Sequence, residues 1–407
     1  MSNFDNAIFD LPSMGSHNDL ISKRQLREDK AWKQYDRRRE KHNHRSSLLR
    51  KIARPVGTSA MVGVTIISAY GIDVAKGMQA LDHTYPSIST VNHELMQRDS
   101  TTMVIAGLGN RDSYATASSL PVYEQLGSVW SLRYDNSGID TEAIALAAIG
   151  KAMDEGITQI AFSGHSAGGD ISLDVARQIQ QSEAPIVVPY VILDCTPPTA
   201  ESIRPESRDI GYKMAQLLQH IPGARYSNVG RFVVEEIARF EQYRDATNPL
   251  LINPKSFAIT TLDVIHDKFL SPTAASTSLL ESQFNYVIAD GARENIMALG
   301  QIENGKPKPI VVVLRPSESA ADKVVDDEIG EQQLRQFAKE AGLQIMVVEI
   351  NNTGHANPIQ RPLEYNEAIA NQVMPNLIPL IEYNRLEAAR QSPTQSIAQD
   401  SRPRPGK

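Results

Sequence analysis

The hydrophobic pattern changes character near residue 101. From there, short apolar runs alternate with stretches of helical spacing, the rhythm of strands and helices taking turns. Thr102-Met-Val-Ile-Ala106 and Ser131-Leu-Arg-Tyr-Asp135 read as strands, and 140–155 as an alanine-rich helix that Asp140 caps. A third apolar run, Ile160-Ala-Phe-Ser163, leads into Gly164-His-Ser-Ala-Gly-Gly169, after which Ile171, Val175 and Ile179 recur at helical spacing. Residues 186–195 read as the next strand. The rhythm returns later with a strand at 309–314, a helix at 326–341 and a strand at 343–350. A closing helical region at 362–388 should be interrupted near Pro375 and Pro379. This alternation predicts a mainly parallel sheet with helices on both faces.

Residues 196–306 break the rhythm. Helical patterns at 232–243 and 279–299 occur there with no clear strand between them, joined by Pro-rich and Asn-rich segments. The two ends differ again. Residues 1–54 are polar and poor in large apolar side chains, a pattern of a disordered arm, and 391–407 reads as a disordered tail rich in Ser, Gln, Pro and Arg. Between arm and core, residues 55–72 carry no charge. That is 18 residues, the lower limit for crossing a hydrocarbon layer about 30 Å thick. One reading is a transmembrane anchor over 55–75 in a single-pass protein, the basic flank holding the N-terminus in the cytoplasm and the catalytic part outside. The other is a helix or strand packed on a cytoplasmic domain.

Composition narrows this picture without redirecting it. The chain has 407 residues, 41% hydrophobic and 22% charged, enough for one large domain with an insertion. The net charge of −7 hides an asymmetry: residues 1–55 hold 13 Lys or Arg against 7 Asp or Glu, a local +6 that leaves −13 for the rest. So acidic a body is a poor partner for nucleic acid, and no zinc-finger or RNA-binding motif argues otherwise. The single cysteine, Cys195, rules out an internal disulfide framework and ends an apolar run, as a packed thiol would.

The candidate chemistry sits where the third strand meets its helix. A serine at the tip of a sharp strand-to-helix turn needs small neighbours, which Gly164 and Gly168 supply, and the helix N-terminus behind it favours developing negative charge. Ser166 is therefore the candidate nucleophile. The segment Gly164-His-Ser166-Ala-Gly168 resembles the nucleophile elbow, G-x-S-x-G, of the α/β-hydrolase superfamily, and the resemblance extends over about 101–388.

That resemblance implies an α/β-hydrolase fold with its core at 83–195 and 307–390 and a helical cap at 196–306. It also implies a triad in the order serine, acid, histidine, each on a loop after a strand. His355, in Asn351-Asn-Thr-Gly-His355 after the last strand, stands where the family keeps its base. In the loop after Leu314, Asp322 is favoured as the acid. Glu318, closer to the usual spacing, is the alternative. His165, the variable residue of the elbow, need not touch the proton relay. Oxyanion donors are expected from the backbone N–H of Ala167 and, less securely placed, of Leu108.

The implied activity is hydrolysis of a carboxylic ester or related acyl compound, on a small-molecule substrate, through an acyl-enzyme. A non-catalytic binding or scaffold protein, or an acyltransferase using the same residues, are the competing readings. No metal or organic cofactor is expected: the sequence has no H-E-x-x-H, no Cys cluster and no phosphate-binding Gly loop with Lys.

Overall fold

The computed structural model describes residues 70–391 apart from 80, 82–84, 92–98, 228–229, 233–273, 302–304 and 356–357. The basic arm, most of the uncharged stretch, the C-terminal tail and the middle of the expected cap lie outside the described residues.

Seven strands form one sheet in the spatial order β1, β3, β2, β4, β5, β6, β7. They are β1 (Ser87–Thr90), β2 (Ser100–Ile105), β3 (Ser128–Arg133), β4 (Gln159–His165), β5 (Tyr190–Asp194), β6 (Ile310–Pro316) and β7 (Ile345–Ile350). Only the edge strand β1 runs antiparallel to its neighbour; the other pairs are parallel. Besides the helical residues 70–79 and 230–232, the helices among the described residues are α1 (Tyr114–Ser118), α2 (Thr141–Glu155), α3 (Ala167–Gln181), α4 (Pro205–His220), α5 (Thr277–Ile288), α6 (Ala292–Gly300), α7 (Asp327–Ala341), α8 (Pro362–Ala368) and α9 (Met374–Gln391).

Side chains of a strand alternate between faces, and here both faces are buried. Met103, Ile105, Trp130, Leu132, Ile160, Phe162, Val191, Leu193, Val311 and Val313 point to one side, where α2, α3, α6 and α7 lay down Ala148, Ile171, Ile179, Ile296, Leu299 and Leu334. Their neighbours Val104, Val129, Ala161, Ile192, Val312, Leu314 and Val348 point to the other, against Tyr365, Ile369, Val373 and Leu377 of the closing helices. This is why the strands read as nearly continuous apolar runs rather than as alternating ones. Asp140 caps α2 as its sequence suggests, its carboxylate accepting the Ala143 N–H at 2.9 Å. In the closing helical region the interruption falls just ahead of Pro375, as a wider turn at Ile369–Val373, while Pro379 sits inside α9.

The long segment between β5 and β6 does not all stand apart from these layers. Ile296 and Leu299 of α6 are fully buried in the first face of the core, and the Gly300 backbone lies so close to Ala341 of α7 that a Cβ would come within 2.2 Å of its carbonyl oxygen.

The expectation of a membrane-spanning helix is corrected. Among the described residues, no helix is long and apolar enough to cross a membrane. Residues 70–79, the described end of that stretch, are helical and carry Asp73 and Lys76. The Asp73 carboxylate accepts the Ser227 hydroxyl at 2.9 Å, and the Tyr70 hydroxyl donates to the Pro222 carbonyl. These bonds tie the helical residues 70–79 to the loop after α4.

Candidate active site

Chain order around β4 dictates where a site can form. From β2 the chain moves outward to β3 on one side, then jumps back to β4 and proceeds through β5, β6 and β7 on the other. The loops after β2 and β4 therefore diverge, opening a crevice at the carboxyl ends of the strands. Ser166 occupies this point. It lies between β4 and α3 with φ 53° and ψ −127°, a backbone conformation costing roughly 1–3 kcal/mol that surrounding structure must hold in place.

Two constraints hold it. The Ser166 N–H donates to the Asp194 carbonyl at the end of β5, at 2.7 Å. The turn is also too tight for side chains: a Cβ on Gly164 would come to 2.3 Å from the Gly168 carbonyl oxygen, and one on Gly168 to 2.5 Å from the Ile105 carbonyl oxygen. A serine at positive φ, at the tip of an interior parallel strand and at the head of a helix, has the backbone geometry of a nucleophile elbow. The chain has the α/β-hydrolase fold.

Within that fold the loops after β6 and β7 bring two more residues to the serine. The His355 Nε2 is 3.1 Å from the Ser166 Oγ, and its Nδ1 is 2.8 Å from Asp322 Oδ2. Asp322 is completely buried, while the His355 side chain keeps 18% of its exposure. Because an ionised carboxylate can only accept, the proton between them sits on Nδ1, which leaves the Nε2 lone pair to receive the Ser166 hydroxyl proton. Asp322 Oδ1 meanwhile accepts the Val324 and Val325 N–H groups at 2.7 and 2.8 Å. Burial pushes the Asp322 carboxyl up, but the hydrogen bond and electrostatic attraction of His355, with those two amides, outweigh it and hold the group below the usual carboxylate range.

Why Asp322 lies farther from its strand than the family spacing suggests is now visible. A 3-10 turn at Ser319–Ala321 takes up the extra residues. Arg204 pins that turn, its guanidinium donating to the Asp322 and Ser319 carbonyls at 2.6 and 2.7 Å. Glu318, at the start of the turn, is exposed, and it makes no hydrogen bond to His355 among the described residues.

Of the two expected oxyanion donors, one directly follows the serine and the other lies in the loop after β2. Ala167 opens α3 and is buried; its N–H, like that of Leu108, takes no hydrogen-bond partner among the described residues. Leu108 is 42% exposed. The loop that carries it touches the elbow directly, since a Cβ on Gly107 would meet the Ser166 Cβ at 3.0 Å and the His165 carbonyl oxygen at 2.7 Å.

Two further features were not read from the sequence. The register of β4 and β5 sets His165 beside Asp194, and these form a second imidazole–carboxylate pair at 2.7 Å, with Tyr365 donating to the other Asp194 oxygen at 2.9 Å. The His165 ring centroid lies 5.1 Å from that of His355. The second feature is Asp327, at the start of α7. Burial, with the charges of Asp322 and Asp194 adding to it, pushes its carboxyl up to about 8. Neither pair of neighbours has a local motif; parallel register and loop packing create them.

Cys195 Sγ lies close enough to Asp322 and His355 for one ligand atom of each to fall within 4.8 Å of the others. The chemistry disfavours a metal there. Burial pushes the Cys195 thiol well up, the nearby aspartates adding to it, and Asp322 and His355 already bond to each other. A cleft of about 240 Å³ lined by Asp99, Thr158, Val187, Lys308 and Arg385 lies at the opposite ends of the strands and contains none of these residues.

No protein-family model and no curated protein matches the sequence. Among solved structures, the chain is similar to a homoserine O-acetyltransferase from Bacillus anthracis, at 13% identity and a TM-score of 0.49, over 72% of this chain and 91% of that one. It is also similar to a carboxylesterase of Nitrososphaera gargenis, at 12% identity and a TM-score of 0.43, over 74% of this chain and 96% of that one. A monoacylglycerol lipase from Paleococcus ferrophilus gives 12% identity and a TM-score of 0.41, over 74% of this chain and 99% of that one. At such distance a likeness says nothing about what this chain acts on.

Proposed function

We propose that this protein is a serine hydrolase that cleaves a carboxylic ester or related acyl compound of small size. The observation that supports it is the unbroken hydrogen-bonded line from the Ser166 hydroxyl through His355 to Asp322, with the Ala167 and Leu108 N–H groups lacking partners among the described residues. In this reading Ser166 attacks the acyl carbon as its proton passes to His355 Nε2. Asp322 compensates the imidazolium charge without itself taking the proton. The Ala167 and Leu108 N–H groups receive the oxyanion. Collapse of the tetrahedral intermediate expels the alcohol, which takes the proton from His355. Water, activated by the same imidazole, then attacks the acyl-enzyme, releasing the carboxylic acid and restoring Ser166.

The test is covalent. A fluorophosphonate should modify wild-type protein at Ser166, and Ser166→Ala should abolish both the labelling and the release of p-nitrophenol from p-nitrophenyl butyrate. Labelling that persists in Ser166→Ala would refute the assignment.

A further inference from the structure

The loop after β2 is too exposed at Leu108 to hold an N–H in place by packing alone. What fixes it is a side chain from α5. Gln283 is fully buried, and both ends of its amide are spent on consecutive residues of that loop. Its Oε1 accepts the Gly109 N–H at 2.8 Å and its Nε2 donates to the Asn110 carbonyl at 2.9 Å. A planar amide engaged this way fixes rotation as well as position, as a neighbouring strand would.

The chain leading into α5 extends the grip. The Ala275 N–H donates to the Gly109 carbonyl at 2.9 Å, Ala274 bridges to Asn110, and the Arg231 guanidinium backs the segment by donating to the Ala275 carbonyl. Within the loop, the Asn110 N–H returns to the Gly107 carbonyl at 3.2 Å, closing a turn around Leu108 with Gly109 at φ 83°. The far side of this turn rests on the Ser166 Cβ and the His165 carbonyl. The loop is thus clamped by Gln283 on one flank and by the elbow on the other.

We propose that Gln283 is a positioning residue for the oxyanion hole. It holds the Gly107–Asn110 loop so that the Leu108 N–H faces the acyl oxygen opposite the Ala167 N–H. The inference rests on the hydrolase reading above. An oxyanion donor meets its partner only as charge develops, so a displaced donor lowers the rate constant of the covalent step while leaving ground-state binding nearly unchanged. A merely structural glutamine would instead alter the melting temperature without this split.

Two variants of the full chain test it, with fluorophosphonate and p-nitrophenyl butyrate as probes. In Gln283→Leu, which leaves the Gly109 N–H and the Asn110 carbonyl unheld, the covalent rate constant for labelling of Ser166 should fall by roughly 10- to 100-fold, somewhat less than the loss expected for deleting a donor outright. The KM for the ester should move by less than about threefold. Gln283→Glu carries its own control. A neutral carboxylic acid can accept from Gly109 and donate to Asn110 as the amide does, whereas a carboxylate can only accept, so the ratio of variant to wild-type rate should rise as pH is lowered.

If wild-type protein is labelled at Ser166 and Gln283→Leu is labelled within about twofold of its rate, or if the Gln283→Glu ratio is flat with pH, the clamp is refuted and the hydrolase reading stands. If wild-type protein is not labelled at Ser166, the hydrolase reading falls and takes the clamp with it.

Discussion

Replacing Asp322 by asparagine changes one atom and, by the geometry, reverses the polarity of the relay. Two backbone donors, the Val324 and Val325 N–H groups, both address Oδ1. An asparagine at this position must turn its carbonyl oxygen toward them, because its NH₂ would put donors against donors. The NH₂ then occupies the place of Oδ2, facing His355 Nδ1 at the 2.8 Å contact. His355 has to present a lone pair there and carry its proton on Nε2, directly opposite the Ser166 hydroxyl. The base is lost although every heavy-atom position is kept. Loss of about 10⁴ in kcat is the expected size for a wrong-tautomer substitution, which corresponds to about 5.4 kcal/mol of transition-state stabilisation. KM should change little. Exposed Glu318, replaced by glutamine, should leave the rate within about twofold.

The assay is steady-state hydrolysis of p-nitrophenyl butyrate by the two variants beside wild type, with circular dichroism to certify folding. A loss smaller than about tenfold in folded Asp322→Asn, or a larger loss in Glu318→Gln than in Asp322→Asn, would refute the assignment of the acid and the tautomer argument with it. Stability supplies an independent sign. A carboxyl held below its ordinary range contributes stability that is present above the ordinary carboxylate pKa and is lost as pH falls through the folded value. Asp322→Asn should therefore melt below wild type at neutral pH, and the gap should close in acid.

Two further outcomes follow from backbone strain and from the second buried acid. Ser166→Gly should be inactive yet more stable than Ser166→Ala by roughly 1 kcal/mol, since glycine tolerates φ 53° and alanine does not; thermal melts in which the glycine variant melts lower would show that the elbow is unstrained. For Asp327, whose carboxyl is raised to about 8 against an ordinary 3.8, the folded state holds a proton across that interval which the unfolded chain has released. Stability falls as pH rises through the window, by up to about 1.4 kcal/mol per pH unit. Asp327→Asn should remove this slope, so that its melting temperature overtakes that of wild type progressively from mildly acidic pH to about 8 and by a constant margin above it. Parallel melting curves for the two proteins would contradict this.

How much of this was legible along the chain depended on range. The core strands announced themselves because a parallel sheet buried on both faces leaves apolar runs such as Pro309-Ile-Val-Val-Val-Leu314. The edge strand β1, Ser-Ile-Ser-Thr, did not, because a short half-buried strand at the margin of a sheet has no such run. The elbow was legible because its residues are contiguous, Gly164 being demanded by Gly168 four residues on, although the carbonyl that excludes a Cβ at Gly168 belongs to distant Ile105. His355 could be placed by the strand before it. Asp322 was harder, since a single turn of 3-10 helix separates distance along the chain from distance in space. The Asp194 pairing and Gln283 left no local trace, because each is defined by partners dozens to hundreds of residues distant. The uncharged stretch at 55–72 misled for a related reason: hydropathy counts residues and does not register that Asp73 and Tyr70 bond to a loop 150 residues on.

The carbonyl that receives the Ser166 N–H belongs to the strand next door, and the aspartate that owns it is itself fastened by an imidazole and a phenol. A residue at φ 53° is thereby tied to a strand in the interior of the sheet. The seryl backbone is therefore held by the sheet itself. On the proposed function, labelling of Ser166 should be lost on heating no later than the separation of β4 from β5, which breaks the bond from the Ser166 N–H to the Asp194 carbonyl.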